Sequence, residues 1–430
     1  MRQGLSVSAV ALALAVSQPI WAEESIELAQ AQGGPVQAAA GSGVVFSLAE
    51  LEQIILSSNP QLMMAQQSRL QAQAAINTAS AFNNPRIEYS DGRQRPVFTG
   101  NTGNIQGWGV AQFIDNPWVR SARIDAAQQG LNISDALVGL NRGEVIAQIR
   151  LRAFEYLLRI EEVRVASEEL SALEQIRDRV KVRVDSGEAP RYESIKAEAE
   201  FITARQRQQS AMLAKEQARI RLNQLAAGRL PAQWSLNVSL DGLPVTSSVL
   251  DPQVLELRNN SELAALRADV MRLQARVDEA SASRLPGVEL RYNDLKDPDN
   301  RQSVMGASVQ LPLLDQRRGP RDEARAELMR ARTRLEGRDA ELKLQLQAAT
   351  MALQMAKLRV EALEGGAIRD ALAALNVAQA AYRFGERGIL DVLDAQRVLR
   401  SVRADLLQAR YQVQAAAVEI SLLTGQYAKP

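Results

Sequence analysis

The sequence predicts a mainly α-helical fold with a small β part, in which long antiparallel helices pack as coiled coils. Three observations support this: an internal two-fold repeat, heptad spacing of apolar residues, and short segments of alternating polarity. The repeat is the clearest, because residues 59–62 and 85–89 recur as 260–263 and 286–290 at the same offset. A unit this long is a duplicated half-molecule, since solenoid repeats span roughly 20–50 residues. Each half is therefore expected to form the same elements.

The repeat divides the chain into a first half at 46–228 and a second half at 252–425, joined by a proline-containing linker at 229–251. A C-terminal tail follows at 426–430. Within each half the predicted order is helix, strand, loop, strand, long helix, turn and return helix. The strands are predicted near 86–91, 105–114, 287–293 and 303–312, and the hairpin turns near 185–191 and 384–390.

The strand assignment rests on alternation, which is clearest in the second half. Val288, Leu290 and Tyr292 alternate with polar residues. Met305 and Val309 belong to a second run of the same kind. A period of two places the apolar side chains on one face of a sheet and the polar ones on the other.

A long helix follows each pair of strands. Pro117, which suits the first turn of a helix, begins one that is predicted to run to about Asp185. Pro320 begins its counterpart, predicted to run to about Phe384. Roughly 68 residues at ~1.5 Å per residue give about 100 Å. Leucine and alanine recur every seven residues in the second helix, which indicates supercoiling against neighbouring helices. The glycines at 365–366 are expected to bend or break it.

The N-terminal residues 1–22 are predicted to be a secretory signal peptide. Arg2 supplies the positive start, 7–16 the apolar run, and Ala22 a small-residue cleavage site. A membrane anchor is the alternative, but the run is shorter than the about 18 residues that a spanning helix needs. Residues 23–45, rich in alanine, glycine and glutamine, are predicted to form a flexible leader. The mature chain is therefore expected to leave the cytoplasm.

The composition argues against several classes of function. The formal net charge is +1, from 51 basic and 50 acidic side chains, so no long-range field favours nucleic acid. The chain contains no histidine and no cysteine, which excludes disulfides and argues against ordinary zinc or copper sites. Ser–His and Cys–His catalysis are excluded for the same reason. We therefore expect neither an enzyme nor a resident metal or cofactor.

Strands of about ten residues with one apolar face suit an outer-membrane β-barrel, where that face contacts lipid. Four strands cannot close a barrel, and an open edge in hydrocarbon leaves backbone groups unpaired at several kcal/mol each. Identical chains are therefore expected to share one barrel. Two chains would give eight strands and a filled interior, whereas three would give about twelve strands and a water-filled lumen. A homotrimer with a 12-stranded transmembrane barrel is preferred, with the helices continuing its wall as an α-barrel.

Residues 382–395 carry a family resemblance. A tyrosine stands three residues before a glycine, an arginine follows, and Asp-Val-Leu-Asp-Ala completes the segment. This pattern is similar to the second hairpin tip of the TolC-like outer-membrane efflux proteins, whose repeat and element order match nearly the whole mature length. The first-half counterpart, 187–197, has Glu193 where that family usually has aspartate. The strand-to-helix passages 84–89 and 309–314 resemble the CzcC-like branch, which is associated with heavy-metal efflux.

The resemblance implies a gate at the periplasmic end of a duct. Asp391 and Asp394 would line the aperture on one helical face, giving rings of carboxylates that select cations and can be blocked by multivalent ones. Tyr382 and Arg387 would hold the coiled coils closed, with Glu193 as the partner. The residues implied to contact a periplasmic adaptor at the tips are Gly187, Glu188, Gly385 and Glu386.

These residues also have plainer interpretations. Asp391 and Asp394 follow a glycine turn, and acidic residues are favoured in a first helical turn by the helix dipole. Arg387 can equally be an ordinary surface arginine. The resemblance favours the gate for the two aspartates and leaves Arg387 undecided.

The implied function is a passive exit duct in the cell outer membrane, with its helical part in the periplasm. A periplasmic adaptor and an inner-membrane pump of the RND type would supply energy and selectivity, and the cargo would be heavy-metal cations. Drug efflux, or type I protein secretion, is an alternative within the same scaffold. A soluble periplasmic coiled-coil adaptor or scaffold is an alternative of another class, in which the strands would form a soluble sheet.

Overall fold

The computed structural model describes residues 44–95, 97–98, 100–240 and 257–428. The predicted signal peptide at 1–22, most of the leader and part of the linker lie outside these ranges. The helices are α1 Leu48–Ser58, α2 Pro60–Ser80, α3 Pro117–Asp185, α4 Arg191–Leu225, α5 Ser261–Ala282, α6 Arg318–Ala362, α7 Ile368–Arg383 and α8 Ile389–Leu423. The strands are β1 Val44–Phe46, β2 Arg86–Gln94, β3 Gly103–Ile114, β4 Trp234–Leu236, β5 Val288–Lys296 and β6 Arg301–Val309. The predicted mainly α-helical fold with a small β part is confirmed.

The long helix of the first half is continuous, whereas its counterpart is interrupted. The helix α3 covers 69 residues from Pro117 to Asp185. In the second half, α6 and α7 are joined by one turn of π-helix (the π-turn) at Leu363–Ala367. This turn contains both glycines at which the helix was expected to bend or break. Glycine lowers helix propensity without removing the backbone N–H, so the helix widens for one turn and then continues.

Among the buried asparagines that start helices, two tie the ends of the return helices to distant parts of the chain. The Asn59 side chain accepts a hydrogen bond at the start of α2 and donates one to the Leu225 carbonyl, at the end of α4, at 3.1 Å. Asn260 repeats this at the start of α5, donating to the Leu423 carbonyl, at the end of α8, at 2.8 Å. Both asparagines are 5% exposed. Each return helix is therefore fixed at its end to the beginning of its own half.

The strands β2, β3, β5 and β6 form one antiparallel sheet in the order β2-β3-β5-β6. Because β3 pairs with β5, the two halves of the chain meet at the centre of this sheet. Within the described residues, β2 and β6 have no partner on their outer sides. The strand expected at 303–312 ends earlier, at Val309. Pro312 has no N–H for a ladder bond, and Leu313 turns back to bond the Leu311 carbonyl at 2.9 Å.

The leader and the linker were expected to lack regular structure, but a segment from each forms a second sheet of two strands. The strand β1, at the end of the expected leader, pairs in parallel with β4 in the expected linker. Phe46 and Trp234 are buried there, and the Trp234 ring lies 5.0 Å from the ring of Tyr156 on α3. Strands of three residues are too short to show alternation in a sequence. The packing of these aromatic rings on α3 decides the structure of this region.

Much of the core lies between the long helices. One cluster, between α1, α3 and α4, contains the fully buried Val145, Ile149 and Leu222. The C-terminal tail also packs, since Tyr427 is buried and Arg150 donates a hydrogen bond to its hydroxyl at 3.1 Å. In the part of the chain that the structure describes, no helix combines the length and the apolar character needed to cross a membrane.

Candidate gate at the hairpin tips

Two helical hairpins end in the same kind of turn. The first hairpin, α3–α4, turns at Gly187 with φ +81°, and the second hairpin, α7–α8, turns at Gly385 with φ +75°. The following residues, Glu188 and Glu386, donate their backbone N–H groups to the last turn of the preceding helix at 2.8 and 2.9 Å. This Schellman arrangement needs a left-handed residue, which glycine supplies without a Cβ penalty. All four residues expected at the tips therefore lie in these turns.

Tyr382 joins the two hairpins next to the turns. Its hydroxyl, near the end of α7, donates a hydrogen bond of 3.4 Å to a carboxylate oxygen of Glu193 in the first turn of α4. The guanidinium of Arg183, on α3, lies 4.8 Å from the centre of the same ring and donates to the Tyr382 carbonyl at 3.2 Å. Tyr382 is only 9% exposed. Tyr382, Glu193 and Arg183 form a contact between the hairpins beside the turns, which we call the tip latch.

The surroundings of Tyr382 raise the pKa of its hydroxyl. Burial is the main cause, and the neighbouring Glu193 carboxylate adds to it, while Arg183 acts in the opposite direction. A tyrosine hydroxyl is protonated at neutral pH, and the raised pKa extends the protonated state to more alkaline pH. It can therefore act as the donor in the tip latch.

Arg387 does not reach Glu193 within one chain. Its guanidinium lies 3.2 Å from Asp391, one turn further along the same segment, and the two side chains are 68% and 43% exposed. Exposed pairs of this kind contribute little to stability. Glu193 is bonded to Tyr382 instead. Within one chain, the latch therefore uses two of the three predicted residues, with Arg183 in the place expected for Arg387.

Asp391 and Asp394 share one face at the start of α8, as their spacing requires. Asp394 lies 2.9 Å from Arg397, which also bonds to Glu200 on α4. In the single chain, Asp394 is exposed and Asp391 is half-buried. Their arrangement around an aperture depends on several chains and stays a prediction.

Arg183 is the site residue that sequence reasoning missed. It stands in the last turn of α3, where a basic residue is commonly favoured by the helix dipole. Because the helix dipole alone accounts for an arginine at this position, the sequence gives no sign that Arg183 also contacts Tyr382 on the other hairpin. The sequence offered only one signal, the tyrosine before the second turn, and its partner depends on how the hairpins pack.

No group of three or more acidic side chains that could hold a metal ion occurs in the described ranges. Near the tips, Asp391 and Asp394 are paired with arginines, and Glu193 accepts a hydrogen bond from Tyr382.

Residues 51–228 and 254–426 match the outer membrane efflux protein family. The chain belongs to this family. The two matched segments fall in the two halves of the repeat, so the resemblance seen in the sequence is confirmed, and with it the role of an outer-membrane efflux channel. This membership decides against the alternative of a soluble periplasmic adaptor. Proteins of the family are channels rather than enzymes.

Individual relatives agree with the family assignment. The cobalt-zinc-cadmium resistance protein CzcC of Cupriavidus metallidurans is 27% identical over 311 residues, which cover 71% of this chain and 74% of CzcC. The crystal structure of CusC superposes with a TM-score of 0.77 at 17% identity, covering 90% of this chain and 95% of CusC. The open state of the MtrE outer membrane channel of Neisseria gonorrhoeae gives a TM-score of 0.74 at 20% identity, covering 88% of each chain. These structures share the fold of this chain.

Proposed function

We propose that three copies of this chain form a passive exit duct in the outer membrane, which carries heavy-metal cations out of the cell. The observation that carries this proposal is the sheet β2-β3-β5-β6, which has two free edges among the described residues. In hydrocarbon, a free edge leaves backbone N–H and C=O groups without partners. Pairing β6 of one copy with β2 of the next removes both edges, and three copies then share a barrel of about twelve strands.

The two faces of the sheet support this placement in lipid. Residues opposite one another in the register share a face. One row across the sheet consists of Ile87, Val110, Tyr292 and Met305. The adjacent row, on the opposite face, consists of Arg86, Ala111, Arg291 and Gly306. Ile87 and Met305 are 76% and 84% exposed in the single chain. An apolar outer face and a polar inner face are typical of a barrel around a water-filled channel.

The helices carry apolar stripes that a neighbouring copy would cover. The members of each stripe are separated by whole numbers of helical turns, mostly by seven residues, which keeps them on one side of the helix. The stripe on α4 consists of Ile195, Ile202, Leu213 and Ile220, and the stripe on α6 consists of Leu344, Met351, Met355 and Leu358. All of these side chains are more than half exposed in the single chain. Packing α4 of one copy against α6 of the next would bury both stripes and continue the barrel wall as helices.

Heavy-metal cations are the proposed cargo because the relative CzcC is named for resistance to cobalt, zinc and cadmium. The chain has no histidine or cysteine, the side chains that bind such cations most tightly. We therefore expect the proteins that work with the duct to select the cargo. These are a periplasmic adaptor that contacts the turns at Gly187 and Gly385, and an inner-membrane pump of the RND type. The duct itself catalyses no reaction.

The gate is assigned to the hairpin tips. The tip latch holds the two hairpins of each chain together, and its hydrogen bond and cation–π contact are weak enough to break. Asp391 and Asp394 of three copies would surround the aperture. Their negative field would attract cations and let multivalent cations block the opening.

Purification and electrical recording test this proposal. The protein should require detergent, behave as a trimer and conduct ions in planar bilayers. Asp391→Ala with Asp394→Ala should abolish block by added multivalent cations, while Asp370→Ala, an exposed carboxylate on α7, should leave it unchanged. A monomer that stays soluble without detergent would end the proposal.

A growth experiment tests the cargo. Cells that lack the gene should lose tolerance to cobalt, zinc or cadmium and regain it when the gene is restored. Loss of tolerance to drugs alone, with unchanged tolerance to the three metals, would assign the duct to drug efflux instead.

A further inference from the structure

A buried carboxylate joins three helices at some distance from the tips. Glu169, on α3, is 6% exposed. One of its oxygens accepts hydrogen bonds from Arg207 on α4 at 2.8 Å and from Arg400 on α8 at 3.1 Å. Arg207 belongs to the same hairpin as Glu169, whereas Arg400 belongs to the other. The same oxygen therefore holds the first hairpin together and ties it to the second.

Arg400 is the middle member of a row of arginines on α8. Arg397 bonds to Glu200 on α4, and Arg403 lies 3.5 Å from Glu168 on α3. Their three-residue spacing places all three arginines along one side of α8, towards the first hairpin. The side chains of Glu200 and Glu168 are 16% and 48% exposed, compared with 6% for Glu169. Because Glu169 is the most buried of the three carboxylates, water screens its bond to Arg400 least among the contacts of this row. We therefore expect the Glu169–Arg400 pair to resist separation most strongly.

The buried pair and the tip latch lie at the two ends of one contact between the hairpins. Glu169 and Arg183 are separated along α3 by about 20 Å, at ~1.5 Å per residue. Apolar side chains fill the space between them, including Leu173 and Val180 on α3 and Leu375 on α7. At the tip end the contact depends on one hydroxyl and one ring, and at the other end it depends on a buried ion pair.

We propose that Glu169 and Arg400 form the fixed point about which the two hairpins of one chain separate when the gate opens. Between this pair and the tips, the latch breaks and the hairpins move apart. On the far side of the pair the hairpins stay joined. Both residues act by positioning, because they touch no cargo, and the pair limits how far the aperture opens. This inference rests on the proposed gated duct.

The two arginines provide a matched comparison. Both bond to the same oxygen of Glu169, and both side chains are 31% exposed. Arg400→Gln removes the link between the hairpins, whereas Arg207→Gln removes only a link within the first hairpin. Either variant leaves Glu169 with one arginine, so their thermal stabilities should fall by similar amounts. In planar bilayers, Arg400→Gln should raise the ratio of open to closed time about tenfold, as expected for a loss of about 1.4 kcal/mol. Arg207→Gln should stay close to the wild type.

The outcomes separate this inference from the proposed function. Equal gating in the two variants overturns the fixed point. Arg400→Lys keeps the charge and should restore wild-type gating, whereas failure of this rescue also overturns it. A wild-type protein that conducts no ions contradicts the duct itself.

Cross-linking provides a second measurement that does not depend on the stability of Arg400→Gln. The chain has no cysteine, so thiols can be placed in pairs. Glu168→Cys with Arg403→Cys, joined by a short bifunctional thiol reagent, links the hairpins on the far side of the fixed point and should leave opening unchanged. Glu193→Cys with Tyr382→Cys, joined in the same way, links them at the tips and should abolish opening. Loss of opening with the first cross-link overturns the proposal.

Discussion

The two halves of this chain build the same elements but differ in their long helix. In the first half, α3 continues for 69 residues and packs against α2, α4, α5 and α8. In the second half, the π-turn at Leu363–Ala367 separates α6 from α7. The helix α3 is regular throughout, whereas its counterpart is widened for one turn before the second hairpin. We therefore expect the second half to be the more deformable of the two.

The glycines after the two return helices should show the largest difference between the halves. Gly425 follows α8 with φ +74°, and a Cβ there would lie 2.2 Å from the Asn259 carbonyl oxygen. Gly228 follows α4 with φ +80°, and a Cβ there would meet nothing within 4 Å. Gly425→Ala should cost about 3 kcal/mol or more through strain and overpacking. Gly228→Ala should cost about 1 kcal/mol. Thermal unfolding measures both, and equal losses would contradict the difference.

Stiffening the π-turn tests whether the second half bends there. A Cβ at Gly365 or Gly366 would meet nothing within 4 Å. Replacing both by alanine should therefore raise the free energy of unfolding by about 1–2 kcal/mol. It should also reduce channel opening, because the widened turn becomes less flexible. Gly337→Ala, in the regular part of α6, is the control: it should stabilise the protein without changing conductance. Wild-type opening in the variant with alanine at both 365 and 366 would refute bending at this turn.

Tyr382→Phe tests the tip latch, which joins the second hairpin to the first. The variant keeps the ring beside Arg183 but loses the hydrogen bond to Glu193. The closed state should lose about 0.5–1.5 kcal/mol, which raises the ratio of open to closed time by up to roughly tenfold. Single-channel recording measures this ratio. Wild-type gating in Tyr382→Phe would show that the hydroxyl has no part in the latch.

The same contact predicts a pH dependence. Burial and the adjacent Glu193 raise the pKa of Tyr382 in the folded protein. A group with a raised folded-state pKa contributes stability below its unfolded pKa, which is about 10 for tyrosine, and this stability is lost as the pH rises through the folded value. In the wild-type protein, the proposed gate should therefore loosen only above about pH 10. Tyr382→Phe should show no such alkaline transition, and an unchanged transition would assign it to another group.

Arg387→Ala should have the smallest effect. Its ion pair with Asp391 is exposed and lies within one helical turn, so its loss should change stability by about 0.5 kcal/mol or less. Thermal unfolding of the purified protein and bilayer recording check this. A large rise in conductance would mean that Arg387 contacts a neighbouring copy in the closed duct, as the family resemblance implies.

The long elements could be predicted from sequence because their signals are local. Pro117 begins α3, and the alternation at 288–293 predicts β5, without reference to the rest of the chain. The strands β1 and β4 could not be predicted, because they depend on the burial of Phe46 and Trp234 against α3. Pairing between segments so distant in sequence leaves no local period.

The candidate site was predictable only in part, for a similar reason. The glycine turns stand out in the sequence because they need a left-handed backbone. Tyr382 stands out because it belongs to a segment that resembles the family. The partners of these residues depend on helix packing. Arg183 reaches Tyr382 from the other hairpin, and Arg207 and Arg400 converge on Glu169 from two helices.

The asparagine ties have a consequence for the evolution of duct length. Asn59 and Asn260 fix the ends of α4 and α8 to the beginning of each half. The two arms of each hairpin are therefore expected to keep equal lengths. A single inserted residue in one arm would move its tip out of line. Relatives with longer or shorter hairpins are therefore expected to gain or lose whole heptads. Such changes should occur in both arms of a hairpin, at the same distance from its tip.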